Sequence, residues 1–220
     1  MSRGSRLSTT SYAILGLLAV QPWSTYELAR QMEHSLGRMW PRAQSKLYEE
    51  PKKLVEHGLA RARTEAVGRR PRTVYAITPK GRRVLARWLK EPGAGPSIEF
   101  EGLLKLTFAD NGTKSDALAS IAAAREWAAE RNAENLATAR RYLAGTGAFQ
   151  QRAAINLIGG AFLTDFYAMV AAWADWAETV VKNWPDDPAA AQADVRELRR
   201  IVRQASWSEE RGYPAAGVGD

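Results

Sequence analysis

Apolar positions recur along most of this chain at intervals of three and four, the rhythm of helices with one buried face. Only around residues 59–78 do they shift towards alternation. The first apolar run, Tyr12-Ala-Ile-Leu-Gly-Leu-Leu-Ala-Val20, follows Arg3 and Arg6 and so mimics a secretion signal. It is far short of the roughly 20 residues a bilayer requires, and Gln21, Pro22 and Trp23 give no cleavage site. It therefore reads as a buried first helix with Ile14, Leu15, Leu17 and Leu18 inward. Ser24 and Glu27 form an S-x-x-E capping box that opens a second helix reaching about Leu36. After Trp40-Pro41 a third helix carries Ser45, Leu47, Tyr48, Leu54 and Val55, and Gly58 stops it in a left-handed cap.

Two strands follow, Leu59–Ala66 and Thr73–Thr78, joined by the turn Val67-Gly-Arg-Arg-Pro-Arg72. Thr78-Pro79 then starts a fourth helix with Val84, Leu85, Trp88 and Leu89 on one side. Helix, helix, helix, hairpin, helix is the order of a winged helix-turn-helix. Pro51 stands out, because a proline inside the third helix removes a hydrogen bond at a cost of about 3 kcal/mol. It predicts a bend, or a reading segment limited to the first two turns.

Beyond the hinge Glu91-Pro-Gly-Ala-Gly-Pro96 the pattern is helical throughout. A short helix spans about Phe100–Ala109, and a long alanine-rich one runs from about Ser115 to Leu143. The next, from Gln150 to about Lys182, carries Ile155, Ile158, Phe162, Phe166, Met169, Trp173, Trp176 and Val180. Those steps of three and four make a packing seam, and at 1.5 Å per residue the helix spans roughly 50 Å. One small domain cannot cover that length, so a partner subunit is expected along Phe162, Phe166, Met169, Trp173 and Trp176. A final helix from Ala189 to about Trp207 should turn Val195, Leu198, Ile201 and Val202 inward. The fold class is thus mainly α: a winged helix at 1–92, an all-α dimerisation domain at 97–210, and a disordered Gly/Pro-rich tail at 211–220. No further stretch reads as long enough to cross a membrane, and a cytoplasmic protein is expected.

Charge sharpens this picture. Residues 1–95 hold 18 Lys/Arg against 7 Asp/Glu, a balance of +11, whereas the rest carries −4. A basic module joined to a mildly acidic one suits a polyanion partner. The third helix offers Arg42, Lys46, Lys52 and Lys53, and the hairpin offers Arg69, Arg70 and Arg72, cations that neutralise phosphates. The chain has no cysteine and only two histidines, His34 and His57, which removes disulfides, thiol chemistry and most metal sites. Gly93-Ala-Gly95 and Gly145-Thr-Gly147 lie in hinges without the strand and helix a phosphate loop needs. Neither an enzyme, a metal nor a cofactor is expected.

The segments Tyr12-Ala-Ile-Leu-Gly-Leu-Leu-Ala, Tyr26-Glu-Leu, Ser45-Lys-Leu-Tyr48 with Lys52-Lys-Leu, Gly58-Leu59 and Tyr75-Ala-Ile-Thr78-Pro-Lys-Gly81 resemble the PadR family of bacterial transcriptional regulators, over about residues 10–90. The resemblance implies a homodimeric repressor that a small molecule releases from double-stranded operator DNA. By position it sets Ser45, Lys46 and Tyr48 at the DNA, Arg69, Arg70 and Arg72 in the wing, and Tyr26 near phosphate. Tyr48 can also be read as a core aromatic that anchors the third helix. Five of the eight tryptophans lie in the second half, and Trp127, Trp173 and Trp176 are candidates for a small aromatic or amphipathic effector. Ordinary core packing explains them as well, and a DNA-binding factor without a small-molecule switch remains open.

Overall fold

The computed structural model describes residues 7–40, 48–67 and 70–212. The chain divides into two compact units, Met1–Pro96 and Ser97–Asp220. In the first, α1 (Thr9–Val20) buries Ile14, Leu15 and Leu18, while Leu17 is only half-buried. The capping box at Ser24 opens α2 (Thr25–Gln31), which continues as one wider turn to Leu36. A short strand, β1 (Trp23–Ser24), pairs with β3 (Arg70–Ile77), which also pairs with β2 (Ala60–Val67). The result is a three-stranded antiparallel sheet in the order β1-β3-β2, one strand more than the hydrophobic alternation predicts. Two residues are too short to show a period, so β1 is visible only through its partner.

The hairpin is also longer and tighter than expected. The register runs without a slip from Ala60↔Ile77 to Val67↔Arg70, so Arg70, Pro71 and Arg72 are strand residues rather than turn residues. Pro71 is tolerated because β1 ends at the Ser24↔Val74 pair and leaves that stretch of β3 with one neighbour.

Pro51 is likewise reassigned. The regular helix α3 spans Glu50–Glu56 with Pro51 in its first turn, where the missing N–H has no partner to lose. There is no mid-helix proline to bend it. Glu50 beside it is buried, and its carboxylate accepts a hydrogen bond from the Ser11 hydroxyl, with Lys53 Nζ 3.3 Å away. This ties the start of α3 to the first turn of α1. Gly58 closes the helix at φ +67°, the left-handed cap the sequence predicts, and Leu59 N–H returns to Leu54 O at 2.8 Å.

The helix α4 (Pro79–Trp88) begins on Thr78, whose hydroxyl faces the carbonyls of Gly58 (2.8 Å) and Leu59 (3.1 Å) and accepts from Gly81 N–H. Trp88 stacks on Tyr12 with ring centroids 4.8 Å apart, but Leu89 is exposed rather than inward.

The second unit is a helical hairpin with additions. A short helix, α5 (Glu101–Thr107), leads to α6 (Lys114–Leu143), capped by Thr113 and Asp116. A turn then leads to α7 (Ala153–Lys182). Ile121 clusters with Ala177 and Val181, while the Asn135 amide donates to Thr164 Oγ1 and Gly160 O, so the two long helices run antiparallel. Alanines at 117, 124, 128, 174 and 177 are buried and keep the axes close.

The buried stripe of α7 is Leu163, Tyr167, Val170, Ala174, Ala177 and Val181, one position C-terminal to much of the expected seam. By length and composition Gln150–Lys182 could also cross a membrane, contrary to the sequence expectation. The C-terminal segment splits into α8 (Val195–Ala205) and α9 (Trp207–Glu210), and Val195, Leu198, Ile201 and Val202 face outward, not inward.

Gly81 shows how tightly α4 meets the open end of the hairpin: a Cβ there would lie 2.1 Å from Leu59 O, just before β2, and 2.9 Å from Ile77 Cγ1 at the end of β3. Gly81→Ala should therefore destabilise the protein by about 1–3 kcal/mol in urea denaturation. Gly16→Ala has open space around it and should stabilise α1 by roughly 0.5–1 kcal/mol.

Candidate nucleic-acid interface

The candidate contacts lie on α2, α3 and the hairpin, and the local chemistry explains how each is held. On α3, Pro51 and Leu54 are buried and Leu59 packs behind them, so the opposite side must face solvent. Tyr48, just before the helix, is 66% exposed, and Lys52 and Lys53 are exposed as well. Tyr48 is therefore a presented side chain and not the core anchor that its aromatic ring also suggests. Lys53 is partly neutralised by Glu50, whereas Lys52 makes no recorded ion pair among the described residues. Arg42, Ser45, Lys46 and Arg69 lie outside the described residues. The backbone of Arg70 begins β3, and its side chain is also outside them.

On α2, Leu28 faces the core while Tyr26 is 73% exposed. Tyr26 shares an open cleft of about 530 Å³ with Ser24, Thr25, Glu27, Arg30, Arg72 and Thr73. The structure thus brings together two of the predicted residues, Tyr26 and Arg72, and adds Arg30 and Thr73, which the sequence reading misses. Arg30 follows Tyr26 by one helical turn, a spacing that could have found it.

Arg72 has a different position from the free wing cation expected. It sits directly across the hairpin from Glu65, donating from Nε (3.3 Å) and Nη2 (3.0 Å) to one carboxylate oxygen. Its Nη1 lies 3.7 Å from Glu27 Oε1. Arg63 also pairs with Glu65, at 2.6 Å. Arg72 therefore braces the hairpin against α2. Arg61, exposed on β2, forms no ion pair among the described residues and is a freer cation there.

The expected effector tryptophans separate. Trp173 and Trp176 line an apolar cleft of about 240 Å³ with Leu103, Leu106, Val180 and Trp184. Trp127 stands apart from it, edge-on to Phe166 and Tyr167. Of the expected dimer positions, Phe162 and Met169 are exposed and Phe166 is half-buried. Trp173 is instead covered within its own unit by the edge of Phe100, and Trp176 donates to Glu197.

Folding holds the Glu27 carboxyl below its ordinary value of 4.5. Hydrogen bonding with the Ser24 side chain contributes most, the Ser24 backbone N–H next, and Arg72 adds a smaller attraction. A carboxylate lowered in this way stabilises the fold above its unfolded value, and that stability is lost as pH falls through the folded value. Glu27→Gln should lower the urea midpoint near neutrality. The gap to the native chain should close as pH falls below 4.5 and through the lowered folded value.

Comparison with known proteins bears on this unit first. Residues 14–87 match the Transcriptional regulator PadR-like family. The Mycobacterium tuberculosis protein named "Probable transcriptional regulator Rv1176c" is 39% identical over 82 residues, 37% of this chain and 43% of that one. The Bacillus subtilis "Negative transcriptional regulator PadR" is 33% identical over 99 residues, 44% and 54% respectively. The alignments thus span about half the length of these curated relatives.

Among solved structures, Bacillus subtilis PadR in complex with operator DNA superposes with a TM-score of 0.64 at 22% identity, over 79% of this chain and 99% of that one. The same protein in complex with p-coumaric acid gives 0.61 at 20%, over 79% and 95%. At these identities the superposition speaks for the fold: a winged helix followed by a helical unit. The family is one of regulators rather than enzymes. The winged helix at residues 14–87 thus matches the PadR-like family of transcriptional regulators.

Proposed function

We propose that this protein is a homodimeric, sequence-specific DNA-binding repressor whose grip on its operator is released by a small aromatic ligand. The observation that carries the DNA-binding reading is the presentation of α3. One side is buried through Glu50, Pro51 and Leu54, the other offers Lys52 to solvent, and Tyr48 is exposed just before the first turn. A rigidly seated helix with an outward aromatic and cations suits the major groove, and phosphate contacts from the hairpin set its position. Arg42, Ser45, Lys46, Arg69 and Arg70 complete the proposed surface, with Tyr26 and Arg30 at its α2 side. Arg72 serves it by holding the hairpin in place.

Support for the dimer comes from α7, where Ile155, Ile158, Phe162 and Met169 form an exposed apolar ladder. A patch of that kind on a folded chain marks an interaction surface. Two-fold pairing along it calls for a pseudo-palindromic operator with half-sites about 10 bp apart or a multiple of that. The ligand reading rests on the Trp173–Trp176 cleft, whose volume suits a single-ring molecule. Lys114, whose ammonium donates to Trp184 O at 2.7 Å, stands beside that cleft as a partner for an acidic group. That PadR from Bacillus subtilis has been solved with p-coumaric acid and with operator DNA agrees with both halves of the proposal.

Fluorescence-anisotropy titration of DNA from upstream of the protein's own gene, beside a scrambled duplex, tests the central reading. Tight binding to the native fragment, weakening as salt rises, is expected. Lys52→Ala should weaken binding on every sequence and reduce the salt slope by about 1. Equal binding to both duplexes, or none at low salt, would overturn it. Single-ring aromatic acids added to the complex should lower the anisotropy and quench tryptophan fluorescence together.

A further inference from the structure

The helix α8, Val-Arg-Glu-Leu-Arg-Arg-Ile-Val-Arg-Gln-Ala, has a clear division of faces. Val195, Leu198, Ile201 and Val202 fall on one side, and Glu197 and Arg200 fall on another. A surface helix of this kind ordinarily lays its apolar stripe on its own core. Here the arrangement is reversed. No residue of α8 is buried, and its four large aliphatic side chains all face solvent, Val202 at 68%.

What touches α7 is the polar side. Trp176 Nε1 donates to Glu197 Oε2 at 2.7 Å, and Arg200 Nε donates to the same oxygen at 2.9 Å. The Arg200 guanidinium lies 4.2 Å over the indole ring. At the root of the arm, Pro188 is buried and Asp194 caps the first turn through Arg196 N–H. The latch fixes both the position of α8 and the direction in which its apolar face looks.

We propose that α8 is an intersubunit arm, latched to its own α7 by Trp176, Glu197 and Arg200, whose face of Val195, Leu198, Ile201 and Val202 packs on a second copy of this chain. The proposal rests on the dimeric reading above and extends it. The exposed ladder of α7, Ile155 to Met169, is centred on Phe162. With the two-fold axis perpendicular to α7 at that point, the two helices run antiparallel. Trp176 lies fourteen residues beyond Phe162, about 21 Å along the axis. The latched α8 therefore comes level with the stretch just before α7 of the second copy.

That end of the unit carries its own uncovered apolar side chains. Leu143 is 92% exposed at the close of α6, and Ile155 and Leu157 are exposed in the first two turns of α7. Two apolar surfaces of one chain, each lacking cover, would meet across the same two-fold axis, continuous with the α7 ladder. Burying them together removes both from water, at roughly 25 cal/mol per Å².

The test is sedimentation of the full-length chain in three forms: native, Phe162→Asp, and Leu198→Asp/Val202→Asp. The altered α8 residues are exposed, so the fold should persist, and far-UV circular dichroism checks this. Leu198→Ser/Val202→Ser provides a milder second variant. The native chain should be dimeric, and both α8 variants should weaken dimerisation at least tenfold. A native dimer that Phe162→Asp splits while both α8 variants leave it unchanged would overturn the arm and keep the α7 interface. A monomeric native chain would overturn both.

Binding of phosphatidylglycerol vesicles by the native chain, lost in the α8 variants with dimerisation unaffected, would assign the face to a lipid surface and overturn the arm. Because the chain has no cysteine, mixing Leu198→Cys with Leu143→Cys chains gives a direct readout. An oxidised species of twice the monomer mass, absent when either variant is oxidised alone, is expected.

Discussion

The contact on which the presentation of α3 depends is the buried carboxylate of Glu50. Unpaired, such a group would cost several kcal/mol to remove from water. The Ser11 hydroxyl and Lys53 offset that cost, and the offset works only where α3 starts against the first turn of α1. Once that end is set, Leu54 and Leu59 fix the rotation of the helix, and Gly58 in the left-handed region turns the chain directly into β2. Tyr48 and Lys52 are outward because Glu50, Pro51 and Leu54 are inward. The hairpin receives a matching constraint from Arg72, which spans Glu65 on one strand and Glu27 on α2. In both places an ionic group often read as a ligand contact serves instead to hold neighbouring elements in place.

The helical unit shows a second constraint, the need of a 30-residue apolar helix for cover on more than one side. Small residues on α6 and α7 let the pair approach closely, and Asn135, bonded to Thr164 and Gly160, adds a polar contact between them. That packing takes up one stripe of α7. The adjacent stripe is covered near its C-terminal end by α5 and α8, through Phe100 against Trp173 and Glu197 against Trp176. Its N-terminal half is left open. The aromatic cleft and the exposed ladder are thus two stretches of one helix face, distinguished only by what the rest of the unit lays over them.

Much of the first unit was legible because its signals are local. The capping box at Ser24, the Thr78-Pro79 helix start and the Gly58 stop each act within four residues, and each stands where the sequence puts it. Pro51 predicts a bend only if it lies inside the helix: the same residue is harmful there and favourable in the first turn, where α3 places it. The sequence predicts too short a hairpin because Arg70, Pro71 and Arg72 look like turn residues. Cross-strand pairing, which no short window contains, draws them into β3. The sequence predicts an inward α8 face because amphipathicity reveals that a face is apolar, not what covers it.

The sequence by itself determined the order of the main helices and the hairpin, the winged helix, the split between a basic and an acidic half, and the apolar character of the long helix. Periodicity, caps and charge are properties of neighbouring residues and survive without coordinates. Only the tertiary structure decided which stripe of α7 is buried, that Arg72 is held by two carboxylates, that Trp127 stands apart from Trp173 and Trp176, and that α8 turns its polar side to its own chain. Each depends on partners distant in sequence, and burial and ion pairing are properties of pairs in space rather than of a residue and its neighbours.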